Sequence, residues 1–312
     1  MSLSCLVTGG AGFIGSHLVR RLVQDGHRVR VLDNFATGFR HNLDDMAPEI
    51  EIIEGDVRDL AVLRSAVRGV DTIFHQAALP SVPRSFADPI ATHESNATGT
   101  LNVLVAARDA GVRRVVCASS SSVYGDAPAE RKREDLPTAP RSPYAVSKLA
   151  AEQYCRAFFI GYRLEAVALR YFNVFGPSQD PDSPYSAVIP RFIIAMLSGQ
   201  SPTIYGDGLH SRDFTYVRNV VDANLLAATS PGIGGEVFNV ARGENYSLLD
   251  LAAALKSILG VDLAPTFDKP RAGDVRHSRA DITKAREMFG FEPRVGFEEG
   301  LRLTAEWYQR QR

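Results

Sequence analysis

Tyr144 precedes Lys148 by one helical turn in the stretch SPYAVSK, residues 142–148. A phenol with its ordinary pKa of about 10 is a poor acid or base near neutrality, so the pair does chemistry only if its surroundings favour the phenolate. Ser142 is a good N-cap residue and Pro143 suits the first helical position. That sets Tyr144 in the first turn and Lys148 on the same face one turn later. The lysine cation and the helix dipole both favour Tyr⁻ there, and such a tyrosine can take a proton from an alcohol. The plain alternative is an amphipathic helix whose tyrosine packs and whose lysine is solvated. Upstream, VVCASSSSVYGD ends a candidate strand in four serines, Ser119 to Ser122. Ligands of parallel sheets sit beyond the carboxyl ends of the strands. Hydroxyls there, Ser120 and Ser121 among them, can bond the substrate oxygen that Tyr144 deprotonates, although a serine-rich turn would look the same.

A second constellation opens the chain. VTGGAGFIGSHL carries Gly9, Gly12 and Gly15, with Phe13 and Ile14 beginning a helix expected over residues 13–24. Gly9 permits a tight turn, Gly12 lets backbone approach a pyrophosphate, and Gly15 lets the helix pack on the strand. The helix N-terminus then offers free N–H groups to phosphate. Asp33 ends the next strand, where a carboxylate would accept a hydrogen bond from the adenosine ribose. It would also repel a 2′-phosphate, and Asn34 rather than arginine follows, so NAD is expected over NADP. Asp56, after the third strand, is a candidate for the adenine amino group, with an ordinary strand-end aspartate as the alternative.

These residues need a scaffold. CLVTG, RVRVLD, EIIEGD, TIFHQA, RVVCAS and EAVALRYF read as buried strands, with helices expected at 60–67, 98–109 and 143–159 between them. This alternation predicts an α/β fold, a Rossmann-like doubly wound parallel sheet. A smaller mixed α/β substrate domain is expected to follow. The division falls at 1–171 and 172–312, with the chain free to cross back. The proline-rich segment 172–190 reads as a long functional loop. The 312 residues carry a net charge of −1, which gives no electrostatic case for nucleic acid or an anionic membrane. Cys5, Cys117 and Cys155 form no CxxC and read as core residues in a reducing compartment. No secretory leader, membrane span or metal-ligand spacing is read, so a cytoplasmic protein without a metal is expected.

Taken together, TGGAGFIGSHL, LDNFATG, GDVRD, HQAALPSVPRS, SSSVYG, SPYAVSK, LRYFNVFGP, SRDFTYV and RAGDVRHSRAD resemble the extended short-chain dehydrogenase/reductase family. The resemblance is to the UDP-hexose 4-epimerases, and most to the UDP-N-acetylglucosamine 4-epimerase group. It implies Ser120 as catalytic hydroxyl, Tyr144 as base, Lys148 as its partner, and cofactor contacts from Asn34, Asp56, Val57, Ala77, Ala78 and Asn96. It also implies a homodimer through the helices at 98–109 and 143–159. Related dehydratases carry an acidic pair where Ser121 and Ser122 stand, and related uronate decarboxylases carry an acid beside the catalytic hydroxyl. Neither reaction is expected.

A UDP-sugar needs cations for its two phosphates. Arg212 and Arg271 are candidates for a bidentate grip, Asn173 for the diphosphate region and Asp274 for a ribose hydroxyl. Ser81 and Arg84 would lie beside the sugar. A surface salt bridge is the ordinary alternative for each arginine. By the resemblance, Ser278 faces the C2 substituent of the sugar, where a large aromatic would restrict the enzyme to glucose and galactose. The expected activity is NAD-dependent 4-epimerisation of UDP-GlcNAc and UDP-GalNAc, with UDP-Glc and UDP-Gal accepted. The alternatives are an epimerase of the plain hexoses alone, a nucleotide-sugar dehydrogenase or reductase, and a non-enzymatic dinucleotide sensor.

Overall fold

The computed structural model describes residues 2–181, 188–269 and 277–311. Its first half runs β1 (Ser4–Thr8), α1 (Phe13–Gln24), β2 (Arg28–Asp33), β3 (Ile50–Glu54), α2 (Leu60–Ala66), β4 (Thr72–His75), α3 (Val82–Ala87), α4 (Pro89–His93), α5 (Gly99–Asp109), β5 (Arg114–Ser120), α6 (Pro143–Tyr162) and β6 (Glu165–Tyr171). The inner strands β1, β4, β5 and β6 are largely apolar, as strands buried on both faces must be, whereas β3 at the edge has no buried residue. The second half holds β7 (Val174–Phe175), α7 (Val188–Leu197), β8 (Thr203–Tyr205), β9 (Ser211–Arg212), β10 (Thr215–Tyr216), α8 (Val217–Thr229), β11 (Val237–Val240), β12 (Tyr246–Ser247), α9 (Leu248–Leu259), β13 (Thr266–Asp268), β14 (His277–Ser278), α10 (Thr283–Phe289) and α11 (Phe297–Arg310).

Seven strands form one sheet in the order β11-β6-β5-β4-β1-β2-β3, and every pairing in it is parallel. The order reverses between β1 and β4, which opens a crevice beyond their carboxyl ends. Leu18 and Leu22 of α1 and Val220 and Ala227 of α8 belong to one apolar core. Leu63 of α2, Val103 of α5 and Phe158 of α6 belong to another. A third core joins Phe175, Phe192, Ile204, Phe214, Leu251 and Phe297 under the small second-half sheets.

β11 pairs with β6, so residues beyond 172 contribute a strand to the main sheet. The segment expected as one loop contains β7, which pairs with β10, and α7 begins at Val188. The helix expected at 98–109 is preceded by one π-helical turn, Glu94–Thr98. Helix α6 runs three residues further than its pattern suggested, ending on Arg163 in the left-handed region at φ 61°. All three cysteines are buried and free.

Candidate active site

The glycine turn is built as its spacing requires. Gly9 has φ 69°, and a Cβ on it would come 2.6 Å from the backbone nitrogen of Ala77 across the crevice. A Cβ on Gly15 would come 2.0 Å from the Gly9 carbonyl oxygen, so α1 reaches its place only because that position has no side chain. Gly12 caps α1 from an extended conformation without a side-chain acceptor, leaving the first helical N–H groups for a ligand. Asp33 is buried; its Oδ2 accepts the Ala11 N–H at 2.9 Å and its Oδ1 the Phe35 N–H at 2.8 Å. Burial pushes its pKa up while these two bonds pull it down. Gly9, Gly12, Phe13, Ile14, Gly15, Asp33, Asn34, Val57, Ala77, Ala78, Ser81, Arg84, Tyr144 and Lys148 all line one cavity of about 810 Å³.

Two of the expected cofactor contacts, Asp56 and Asn96, are not among the residues that line it. Asp56 takes hydrogen bonds from Asn34 and the Arg58 guanidinium, both at 2.8 Å on Oδ2, which hold its pKa down at about 2. Asn96, carried by the π-turn, accepts the Leu79 N–H at 2.7 Å and donates to the Leu79 carbonyl and to Ser147. It therefore shapes the 77–81 wall. Beside it, Thr100 Oγ1 donates to the Asn96 carbonyl at 2.6 Å. Thr100 Oγ1 must then accept from His75 Nε2–H, and His75 Nδ1 accepts from Thr8. Burial, helped by the Lys148 charge, pushes His75 down to about 3, so it is a neutral strut under the site.

Ser142 caps α6 as its type suggests, accepting the Ala145 N–H at 3.1 Å. Tyr144 and Lys148 then both reach the cavity wall. Lys148 Nζ donates to the Ala118 carbonyl at 3.0 Å, which ties α6 to the end of β5. Burial raises the Tyr144 pKa and a hydrogen bond with Ser120 lowers it, burial being the larger effect. The chain's own groups thus leave the phenol above its ordinary value, against the expectation drawn from Lys148 and the helix dipole. The serine run divides its labour. Ser119 donates to Glu152 at 2.5 Å, Ser120 meets Tyr144 and accepts the Ser122 N–H at 3.2 Å, and the Ser122 hydroxyl is buried. Ser121 opens the 3₁₀ turn after β5.

A second cavity of about 520 Å³ holds Asn173 and Arg212, together with Arg191, Phe192, Tyr205 and His210. Arg191 and Tyr205 went unread in the sequence. Arg191 lies in an apolar helix with no motif around it, and Tyr205 in a three-residue strand. The Arg191 guanidinium carbon sits 5.8 Å from the Tyr205 ring centroid. Cation and ring together suit a nucleotide base and its phosphates. Ser278 pairs with Arg212 in the ladder between β14 and β9, and its carbonyl accepts the Asp213 N–H at 2.8 Å. Arg271 and Asp274 lie outside the described residues. Residues 173–181 run between the cavities: Asn173, Val174, Phe175 and Pro181 line the second, Gln179 and Asp180 the first. His17 Nε2–H donates to the Pro177 carbonyl at 2.9 Å, and the Tyr308 hydroxyl donates to that of Gln179. Among the described residues, no group of three His, Cys, Asp or Glu side chains could hold a metal, and no helix is long and apolar enough to cross a membrane.

Known proteins share this arrangement. Residues 5–241 match the family model described as the NAD dependent epimerase/dehydratase family. A UDP-glucose 4-epimerase of Mycolicibacterium smegmatis is 42% identical over 309 residues, covering 97% of this chain and 98% of that protein. A UDP-N-acetylglucosamine 4-epimerase from Methanobrevibacter ruminantium, solved with UDP-N-acetylmuramic acid, superposes with a TM-score of 0.95 at 41% identity, covering 100% of this chain and 99% of the other. A UDP-glucose 4-epimerase from Thermotoga maritima, solved with UDP-glucose, does so at 0.94 and 37%, covering 99% of each chain. With its glycine turn, Asp33, Tyr144 and Lys148 on one cavity wall, and with the family model matched over residues 5–241, the chain belongs to the NAD dependent epimerase/dehydratase family.

Proposed function

We propose that this enzyme interconverts the C4 epimers of a UDP-hexose, keeping its cofactor throughout the cycle. The observation that carries the reading is Tyr144 and Lys148 on the wall that also holds the dinucleotide cradle, with Ser120 near enough to the phenol to lower its pKa. Ser121 and Ser122 leave the hydroxyl segment without the acid that water elimination or decarboxylation would use. NAD, when bound, accepts a hydride from C4 and supplies one back. Tyr144 Oη takes the proton of the 4-hydroxyl through or beside Ser120 Oγ, and returns it once the keto sugar has turned over. Lys148, on the same wall, is placed to hold the nicotinamide ribose. Arg191 and Arg212 hold the diphosphate, so the sugar is anchored by its nucleotide and its ring is free to turn. A carboxylate at Asp33 suits NAD and disfavours a phosphorylated ribose.

UDP-glucose and UDP-galactose are the pair supported by the names of most of the similar epimerases. Ser278 and the N-acetylglucosamine relative support acceptance of the N-acetyl pair as well. The test is incubation with UDP-Glc, UDP-Gal, UDP-GlcNAc and UDP-GalNAc separately, without added NAD, and separation of the products. Stoichiometric consumption of added NAD would establish a dehydrogenase instead. Ser278→Tyr should abolish turnover of any N-acetyl pair and spare the plain pair, because a ring in that place removes the room the acetamido group needs. Loss of both pairs would remove Ser278 from this role. The same reading makes a homodimer through α5 and α6 the assembly, supported by Val146 and Tyr154, which α6 leaves 51% and 36% exposed. Buried free cysteines support a reducing, cytoplasmic setting.

A further inference from the structure

Glu152 lies on α6 one turn beyond Lys148 and two beyond Tyr144, and it is 1% exposed. The reaction above does not use it. Its Oε1 accepts the Ser119 hydroxyl at 2.5 Å and Arg170 Nε–H at 2.8 Å, and its Oε2 accepts Arg170 Nη2–H at 2.8 Å. Arg170 sits on β6 directly opposite Ser119 of β5 in the ladder. Its guanidinium carbon is 4.6 Å from the centroid of the Tyr124 ring, whose hydroxyl donates to Asn239 of β11 at 2.8 Å. One carboxylate thus ties the catalytic helix to the catalytic strand and, through Arg170, to its neighbours.

Stability is a poor reason for such a pair. The two side chains are 4% and 0% exposed, and desolvating both ions costs as much as apolar packing of the same volume would gain. What the pair does supply is a fixed geometry, because a bidentate grip has one register. Ser119 is the residue before Ser120, so holding its hydroxyl holds the end of β5 relative to the first turns of α6. We propose that Glu152, gripped by Arg170, is a positioning residue that sets β5 against α6 so that the Ser120 and Tyr144 hydroxyls meet. The inference rests on reading those two as the proton-transfer pair. A displacement of about 1 Å at such a pair can cost on the order of 100-fold in rate. Burial lowers the Lys148 pKa, and Cys117 and then the Glu152 charge raise it part of the way back.

The experiment replaces both ions at once, Glu152→Leu with Arg170→Met, so that neither member of the pair is left in the core without the other. The double variant should fold and keep NAD, seen by thermal unfolding and by the absorbance of bound cofactor. Its kcat should fall about 10- to 100-fold with KM nearly unchanged, and the alkaline limb of its pH profile should move to lower pH as Lys148 loses its anion. Glu152→Gln with Arg170→Met restores an acceptor for Ser119 and should recover part of the lost kcat. A folded Leu/Met variant with unmutated kcat and pH profile overturns the proposal. If that variant does not fold, Ser119→Ala decides: a kcat within about twofold of the unmutated enzyme overturns it, and a larger fall at constant KM supports it. Absence of any epimerisation by the unmutated protein overturns the underlying reaction, and this inference with it.

Discussion

In the proposed reaction Tyr144 acts as a base from a position where burial pushes its pKa up and Ser120, among the described groups, pulls it down. Removing the phenol oxygen tests that role directly. Tyr144→Phe should cut kcat by about 10²- to 10⁴-fold, the usual contribution of a general acid–base group, with fold and bound NAD unchanged. Turnover near that of the unmutated enzyme would give the proton to another group. At this scale the sequence was legible where the signal was local. Ser142, Pro143, Tyr144 and Lys148 define their own helix start and their own face. The choice among Ser119 to Ser122 was not legible, because it depends on Glu152 reaching Ser119 from another element. The fate of Asp56 was hidden for the same reason: its partners Asn34 and Arg58 are visible in the chain, but their joint geometry is not.

Among the elements, α1 is placed by the absence of a side chain. An alanine Cβ at Gly15 would stand 2.0 Å from the Gly9 oxygen and 2.8 Å from the Gly10 Cα, both backbone atoms that cannot swing aside. Gly15→Ala should therefore cost about 1–3 kcal/mol or more and release NAD, as thermal unfolding and cofactor absorbance would show. Gly161→Ala is the contrast: it lies within α6 with nothing within 4 Å of its would-be Cβ. It should stabilise the protein by about 0.5–1 kcal/mol, since glycine is a poor helix former. Equal effects at the two sites would refute the packing argument. The strands and helices of the first half follow from apolar runs and caps, which act over a few residues. β7 and β10 escaped notice because two residues carry no period. β11 reads as an ordinary apolar run, and only the open edge of β6 decides that it joins the main sheet.

For the molecule as a whole, His75 links the site to stability. Its pKa is pushed down to about 3 from an ordinary 6.5, because it is buried between Thr8 and Thr100. Below 6.5 the unfolded chain takes up a proton that the native state refuses. Its contribution is therefore fully present above about pH 6.5 and is lost as pH falls toward 3. The slope it adds is at most about 1.4 kcal/mol per pH unit. His75→Gln should flatten the fall of the urea midpoint between pH 7 and pH 4, and an unchanged slope would show that His75 is protonated in the native state. The second half was the least legible part of the sequence. Its small sheets are pairings of two or three residues, and their order is fixed by the aromatic core around Phe175, Phe214 and Phe297 rather than by local pattern.

Residues 173–181 are a party wall between two tenants. Gln179 and Asp180 line the first cavity, proposed for the cofactor, while Asn173 and Phe175 line the second, proposed for the nucleotide end of the substrate. The strip is moored at Pro177 by His17 and at Gln179 by Tyr308. A ligand that stiffens one side of this strip also stiffens the other, and thermodynamic reciprocity makes the benefit equal in both directions. UDP should lengthen the residence time of NAD, and NAD should tighten UDP by the same factor as UDP tightens NAD. Stopped-flow release of the cofactor, with and without UDP, reads the first effect, and calorimetry reads the second. The coupling would keep the coenzyme in its berth during each turnover, while the keto sugar turns over and the returning hydride is still needed.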